Sequence, residues 1–399
     1  MKLLYLVADG MGGWPLKELG GKTTMEAAVT PNMDELSKTG IVGCARTVPE
    51  GMAPGSDVAN MSLLGFDPAR YHTGRGPIEA AAQGLTLDPD DLVWRLNLVT
   101  VSKLNIDGYM RDYSSGHIAT EVSRPVIEAL QEKLGNDTYV FYPGVQYRHL
   151  LVQKGGALTD DAALFINPPH DITDKSIKYD LRAFSRSTPL WDLVFEASDL
   201  LADRDINMSM ANAIWPWGQG RPLILPDFRE TFGLSGAVIS AVDLIKGLGN
   251  ASGMRVLDIE GATGLLETNY QGKVDAALDF LKDNDFAFVH LEGPDECGHG
   301  GNAADKVEAI SRFDARVVAP LREALKGEDV AWIVTCDHFT PIAERTHTMD
   351  PVPFIINGPG LEPSGVNSFS EKNAQGTGIA LDKGYELLSF AMNKLGMRQ

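Results

Sequence analysis

The chain has 399 residues, 44% hydrophobic and 22% charged, with 54 acidic side chains against 35 basic ones and a formal net charge of −19. That is the composition of a globular protein, long enough for two or three compact units. The acidity excludes the Lys- and Arg-driven grip on nucleic acid and on anionic membrane surfaces, but leaves room for a small local basic pocket.

Three cysteines cannot form a disulfide framework, and their odd number leaves at least one unbridged within the chain, which suits a reducing compartment. The opening run Leu3 to Ala8 is stopped by Asp9 and is too short for a secretory leader. No apolar stretch approaches the ~20 residues of a membrane span. The expectation is a soluble, cytoplasmic protein whose partner is a small molecule, with no nucleic acid and no membrane; its oligomeric state is not readable.

In chain order, residues 3–8 form a continuous apolar run followed by Asp9-Gly10-Met11-Gly12-Gly13, a buried strand ending in a loop. Pro31 and Gly40 bracket a short helix, and Ile41 to Val48 reads as a second strand. Pro54-Gly55-Ser56-Asp57 introduces a helix over Val58 to Leu64, with Ser56 at its N-cap or first turn. Further along, 286–291, 330–334 and 353–356 are strand-like, and helical patterns cover 273–281, 305–325 and 382–395. Alternating strands and helices predict an α/β fold with a mostly parallel sheet flanked by helices. The stretch from about 88 to 204 has polar turns and mixed runs. It reads as an inserted α+β domain, leaving 1–87 and 205–399 as the main domain.

Chemistry gathers after the strands. Asp295 and His299 are four apart, so one helical turn would set them on one side, facing one cation. Asp337-His338 is an adjacent pair that can face a site only from a loop, and His347 lies nine residues beyond. Asp9, Asp295 and Asp337 each follow a strand, and in parallel sheets the carboxyl ends of strands line the ligand crevice. Three Asp and three His without thiolates suit Mn, Mg or Zn, and are enough for two ions if external ligands complete each shell. Each pattern alone has a plainer reading as a turn former or helix cap; the three together, each after a strand, are more specific. Ser56 can be a plain cap, or, beside metals and a helix N-terminus, a nucleophile for a phosphoryl group.

These residues lie in A-D-G-M-G (8–12), T-P-N-M-D (30–34), P-G-S-D (54–57), T-G-R-G-P-I-E-A (73–80), D-E-C-G-H (295–299), C-D-H-F-T-P (336–341) and D-P-V-P-F (350–354). Further stretches are Y-R-H-L-L-V (147–152), W-P-W-G-Q-G (215–220), S-A-V-D-L-I-K-G (240–247) and T-N-Y-Q-G-K (268–273). The set resembles the archaeal-type cofactor-independent phosphoglycerate mutases of the alkaline phosphatase superfamily, almost end to end. The resemblance implies an alkaline-phosphatase-like metal domain with an inserted domain that closes over 3-phosphoglycerate. It implies two divalent metal ions (Mn, Mg, Co or Zn). Carried over by motif, Asp9, Ser56, Asp337 and His338 match one metal site, and Asp295, His299 and His347 match the other. Ser56 would take the phosphoryl group and return it to the neighbouring hydroxyl, interconverting 2- and 3-phosphoglycerate without bisphosphoglycerate. A bacterial branch proposed to phosphorylate homoserine supplies the alternative, with a phosphomonoesterase and a non-catalytic metal-binding protein behind it.

Three positions in two motifs depart from the family pattern: Cys336 and Phe339 flank Asp337-His338 where Gly and Ser are usual, and Cys297 sits inside the D-E-x-G-H motif. Small buried fillers are the plain reading of these thiols; altered metal preference or oxidation is the other. Three aspartates and a serine alkoxide offset two divalent ions, so a phosphoglycerate of about −3 charge needs other cations. Arg75, flanked by glycines, is the first choice. Arg111, Arg148 and Lys246 follow, with His149 and His170 to orient glycerate or shuttle a proton. His72, His117 and His290 are read as structural.

Overall fold

The structure, a computed structural model, describes residues 1–397. The chain divides into two compact units, Met1–His72 with Ile224–Gln399, and Thr73–Leu223. The second unit is therefore wider than the 88–204 expected from composition. The helix Arg75–Ala82 and a strand at Ala213–Gly220 both pack on the insert's own central strand, so they belong to it.

The first unit is built on an eight-stranded sheet. Its strands are β1 (Lys2–Ala8), β2 (Ile41–Ala45), β8 (Gly236–Ile239), β9 (Arg255–Val256), β10 (Phe286–Leu291), β11 (Val330–Thr335), β12 (Val352–Asn357) and β13 (Ala380–Leu381). The intervening numbers belong to the insert: β3 (Leu92–Val101), β4 (Met110–Asp112), β5 (Tyr139–Val145), β6 (Arg148–Gln153) and β7 (Ala213–Gly220). The order across the large sheet is β13-β2-β12-β11-β1-β10-β8-β9. Only β12 runs against its neighbours. The central strands read as unbroken apolar runs because both faces are covered: β10 and β11 are buried at every position.

The central order decides where the chemistry goes. β1 lies between β10 and β11, parallel to both, with Ala8 level with Leu291 and Val7 level with Thr335. The three chain segments that follow leave the sheet side by side at one edge, and they carry Asp9, Asp295 and Asp337.

The pattern over 305–325 reads as one helix but forms three pieces. A π-helical turn, Asp314–Val318, separates helices Ala303–Phe313 and Ala319–Ala324. The turn aims the buried Asp314 carboxylate at the start of helix Pro31–Thr39, where it accepts from Met33 N at 2.7 Å and Asn32 N at 3.2 Å. It caps a helix whose own N-cap, Thr30, makes no side-chain bond. The second strand stops at Ala45, short of the expected Val48.

In the insert, β3 pairs with β4, β6 and β7, and β6 with β5, all antiparallel. Leu92, Trp94, Leu96 and Leu98 alternate onto the face that holds the main core, and helices Thr120–Leu134 and Thr188–Leu201 supply Ile127, Leu130, Leu190 and Val194 to that core. On the other face, Val93, Leu150 and Val152 pack against Ala80 of helix Arg75–Ala82.

Candidate metal centre and phosphoryl-acceptor serine

The first loop turns sharply at Gly10. Its φ is +60°, and a Cβ there would lie 2.5 Å from both Asp295 Oδ1 and Thr340 Oγ1, so only glycine fits. Gly10 N donates to Asp337 Oδ1 at 3.0 Å, tying the first loop to the one after β11. Asn60, one turn into helix Ser56–Leu63, donates to Asp337 Oδ2 at 2.8 Å and to Ser56 O at 2.9 Å. Buried Lys306 donates to Gly12 O at 2.9 Å and Thr340 O at 2.7 Å, with its ammonium pushed down to about 8 by burial.

Asp295 and His299 lie on helix Gly293–Gly300, as their spacing predicts, with Oδ2 and Nε2 3.2 Å apart. His347 Nε2 is 2.9 Å from His299 Nε2 and 3.5 Å from Asp295 Oδ1. His338 Nε2 lies 3.2 Å from Ser56 Oγ, 3.5 Å from Asp9 Oδ1 and 3.4 Å from Asp337 Oδ2. Asp9, Asp337 and His338 are fully buried, Asp295 nearly so. Six expected ligands and Ser56 thus form one continuous cluster.

Hydrogen-bond logic shows that the cluster fits divalent cations. His299 Nδ1 faces only the Arg345 carbonyl, at 2.9 Å, so it must carry hydrogen. In the neutral ring, Nε2 then points its lone pair at Asp295 and His347. The single Thr340 hydroxyl hydrogen goes to Asp295 Oδ1, so His338 Nδ1 must donate to Thr340 Oγ1, at 3.3 Å. That leaves the Nε2 lone pair of His338 aimed at two carboxylates. Lone pairs facing carboxylates are reconciled by a proton or a metal ion. With the proton, His299 is raised to about 9, chiefly by its bond to Asp295. Both carboxylate oxygens of Asp9 are buried without a hydrogen-bond partner. Burial, then Asp337 and Asp295, push the Asp9 carboxyl well above the usual range. Two groups, Asp295-His338-His347 and Asp9-His290-Asp337, present ligand atoms close enough together for a metal ion.

Ser56 opens its eight-residue helix and is nearly buried. Gly55, its N-cap, has no side chain to bond the first amides. Cys336 is buried, and burial raises its thiol far above neutral; Cys297 is raised to about 11, also mainly by burial. Both stay protonated at neutral pH, and neither joins a metal-capable group among the described residues.

The insert carries a second constellation. Arg95 of β3 is buried, pairs with Glu79 at 3.0 Å and stacks 4.4 Å over the Trp217 ring. Its Nε has no partner. Burial lowers its pKa, opposed by Glu79, with Arg75 and Arg148 adding to the fall. His170 packs edge-on to Trp217 at 5.5 Å, and the same Arg95 and Arg75 charges reach it. Arg75, Arg148 and His170, expected from sequence, therefore gather around Arg95, which was not. Arg111 stands apart, largely exposed and 3.8 Å from Asp174. Lys246 lies in the other unit, paired with Asp258 at 2.6 Å. His149 accepts from Gly144 N at 3.0 Å and sits in the sheet opposite Leu96, not with the arginines. Burial lowers it to about 3, so it stays neutral and shuttles no proton at neutral pH.

A protein of Methanosarcina barkeri named 2,3-bisphosphoglycerate-independent phosphoglycerate mutase is 44% identical over 97% of this chain and 98% of its own. One of the same name from Methanothrix thermoacetophila is 45% identical, again over 97% and 98%. The chain belongs to the 2,3-bisphosphoglycerate-independent phosphoglycerate mutase family. The family's own model matches residues 37–207, which include Ser56 and most of the insert. The solved cofactor-independent phosphoglycerate mutase of Thermoplasma acidophilum has the same fold over 98% of this chain, with a TM-score of 0.66 and 27% identity. A solved protein of Pyrococcus horikoshii reaches a TM-score of 0.84 at 29% identity over the whole chain.

Against the family's motifs, sequence reading missed three groups at the candidate metal centre: Asn60, Thr340 and His290. Asn60 carries a signal, since it follows Ser56 by one helical turn. Thr340 lies within the C-D-H-F-T-P motif. His290, the penultimate residue of β10, looks like strand filler; burial lowers it to about 4, so it is neutral.

Proposed function

We propose that this chain interconverts 2- and 3-phosphoglycerate through a phosphoserine on Ser56, without bisphosphoglycerate. The observation that carries the reading is Ser56 Oγ at the start of a helix, 3.2 Å from His338 Nε2 and bordering a buried carboxylate–histidine cluster. The shared family of the relatives supports it. Asp9, Ser56, Asp337 and His338 would hold one divalent ion, and Asp295, His299 and His347 the other, manganese first among the candidates. When bound, such ions lower the pKa of a serine hydroxyl and neutralise phosphoryl charge.

The chain's own groups do the rest. Ser56 Oγ forms its bond to phosphorus as the bond to the substrate oxygen breaks, and that oxygen leaves as a glycerate hydroxyl. The N-terminus of helix Ser56–Leu63, with its positive dipole end, favours the phosphoryl oxygens. Glycerate then presents its other hydroxyl to phosphoserine, and the same exchange in reverse frees Ser56. Asn60 holds Asp337 and the Ser56 carbonyl together, so acceptor and ligand keep one register. In the insert, Arg75, Arg95, Arg148 and His170 would meet the carboxylate or phosphate of the substrate, with bidentate geometry available to arginine.

The place of such a reaction is glycolysis and gluconeogenesis in the cytoplasm. Homoserine kinase chemistry on this scaffold has no observation in its favour. Acid-quenched protein after brief exposure to 3-phosphoglycerate should carry one phosphate on Ser56 by mass spectrometry. Phosphate on another residue, or on none while product forms, would overturn the reading.

A further inference from the structure

His290 lies outside the ligand set that the motifs supply. It is completely buried, and its Nε2 has no hydrogen-bond partner. Asp9 Oδ2, itself without a hydrogen-bond partner, lies 3.1 Å away. Two unsatisfied, fully buried polar atoms this close are costly unless something between them satisfies both. Asp337 adds a third buried ligand atom, and all three lie within 4.8 Å of one another. Bonds of about 2.0–2.2 Å to one ion put neighbouring ligand atoms roughly 3 Å apart, the separation of His290 Nε2 and Asp9 Oδ2. The far side of the ring is held: Nδ1 lies 3.2 Å from Ser240 Oγ, which also accepts from Val242 N at 3.0 Å. The main chain is held too, by Lys273 Nζ donating to His290 O at 2.8 Å.

Asp9 is consequently two-sided. Its Oδ1 looks toward His338 Nε2 and its Oδ2 toward His290 Nε2. We infer that His290 is a metal ligand, binding through Nε2 the divalent cation that Asp9 and Asp337 hold, with Ser240 orienting its ring. The inference rests on the metal reading above and deepens it. With His290 added, the ligands of that ion number more than a tetrahedral site uses, which favours the higher coordination of Mn or Mg over Zn.

The test is a proton–cadmium correlation spectrum of the full-length protein loaded with ¹¹³Cd and isotopically labelled at histidine. The inference expects the ring protons of His290 to couple to cadmium, alongside those of His299, His338 and His347. Coupling at those three, with His290 uncoupled and a proton on its Nε2, overturns the His290 assignment and leaves the proposed function standing. Coupling at none of the four overturns both. In parallel, His290→Gln should weaken manganese binding about ten-fold or more at one site in an electron paramagnetic resonance titration. Unchanged affinity in a folded variant also overturns the assignment, and a variant that does not fold leaves the decision to the cadmium spectrum.

Discussion

At the scale of single residues, the protein separates histidines by what their second nitrogen meets. His299 and His338 have Nδ1 committed to oxygen acceptors, so Nε2 is free for a cation. His149 has the opposite arrangement: Nδ1 accepts from Gly144 N–H, and Nε2 carries the proton inside the insert. One rule about ring nitrogens thus divides the candidate cation ligands from core filler. Removing the acceptor, Ser56→Ala, should lower mutase turnover by at least about 1,000-fold while calorimetry still detects metal binding. His149 also makes the insert sensitive to acid. Its folded pKa of about 3 lies below the ordinary value of 6.5, so the unfolded chain binds the proton first. Its contribution to stability is complete above pH 6.5 and falls toward pH 3, by up to about 1.4 kcal/mol per pH unit. Denaturant unfolding at stepped pH should show that slope, and His149→Gln should flatten it.

At the scale of elements, the candidate metal centre follows from three parallel strands lying side by side. An Asp after each of β1, β10 and β11 is visible in the sequence, and parallel pairing makes the three converge. The i, i+4 spacing of Asp295 and His299 was equally legible because a helix converts spacing into a shared face. What escaped notice lies inside elements. Arg95 and Asn97 alternate with Trp94, Leu96 and Leu98 along β3, a polar stripe that resembles surface until Glu79 of helix Arg75–Ala82 is seen to pair with Arg95, and Trp217 and the Tyr113 carbonyl to hold Asn97. The same helix escaped assignment to the insert because its partner strands follow it in the chain. Lys306 looks like an ordinary helix-surface lysine, yet it ties the loops after β1 and β11. Lys306→Met would leave the Gly12 and Thr340 carbonyls without that donor, and should cost about 2 kcal/mol or more in denaturant unfolding. A shift below about 0.5 kcal/mol would show that those carbonyls find other donors.

At the scale of the whole molecule, the two units differ in chemistry. The metal-capable groups lie in the first, while Arg75, Arg95, Arg148 and His170 lie in the second. The overall charge of −19 therefore says little about affinity for a small anion, which the local arginine cluster decides. The insert's ends meet: Gly74 and Gly220 each approach the backbone of the opposite terminus, Gln219 and Thr73 respectively. A fragment of residues 73–223 should therefore fold cooperatively by circular dichroism and bind no manganese. Tight manganese binding by the fragment would move the metal centre to the wrong unit.

The central claim is that one protein and its metal ions suffice for the phosphoryl shift. Metal-loaded protein incubated with 3-phosphoglycerate alone, without bisphosphoglycerate or nucleotide, should form 2-phosphoglycerate. A chelator should stop the reaction, and added manganese should restore it. No 2-phosphoglycerate at any level of Mn, Mg, Co or Zn, with phosphate instead transferred from ATP to homoserine by the same sample, would contradict the account.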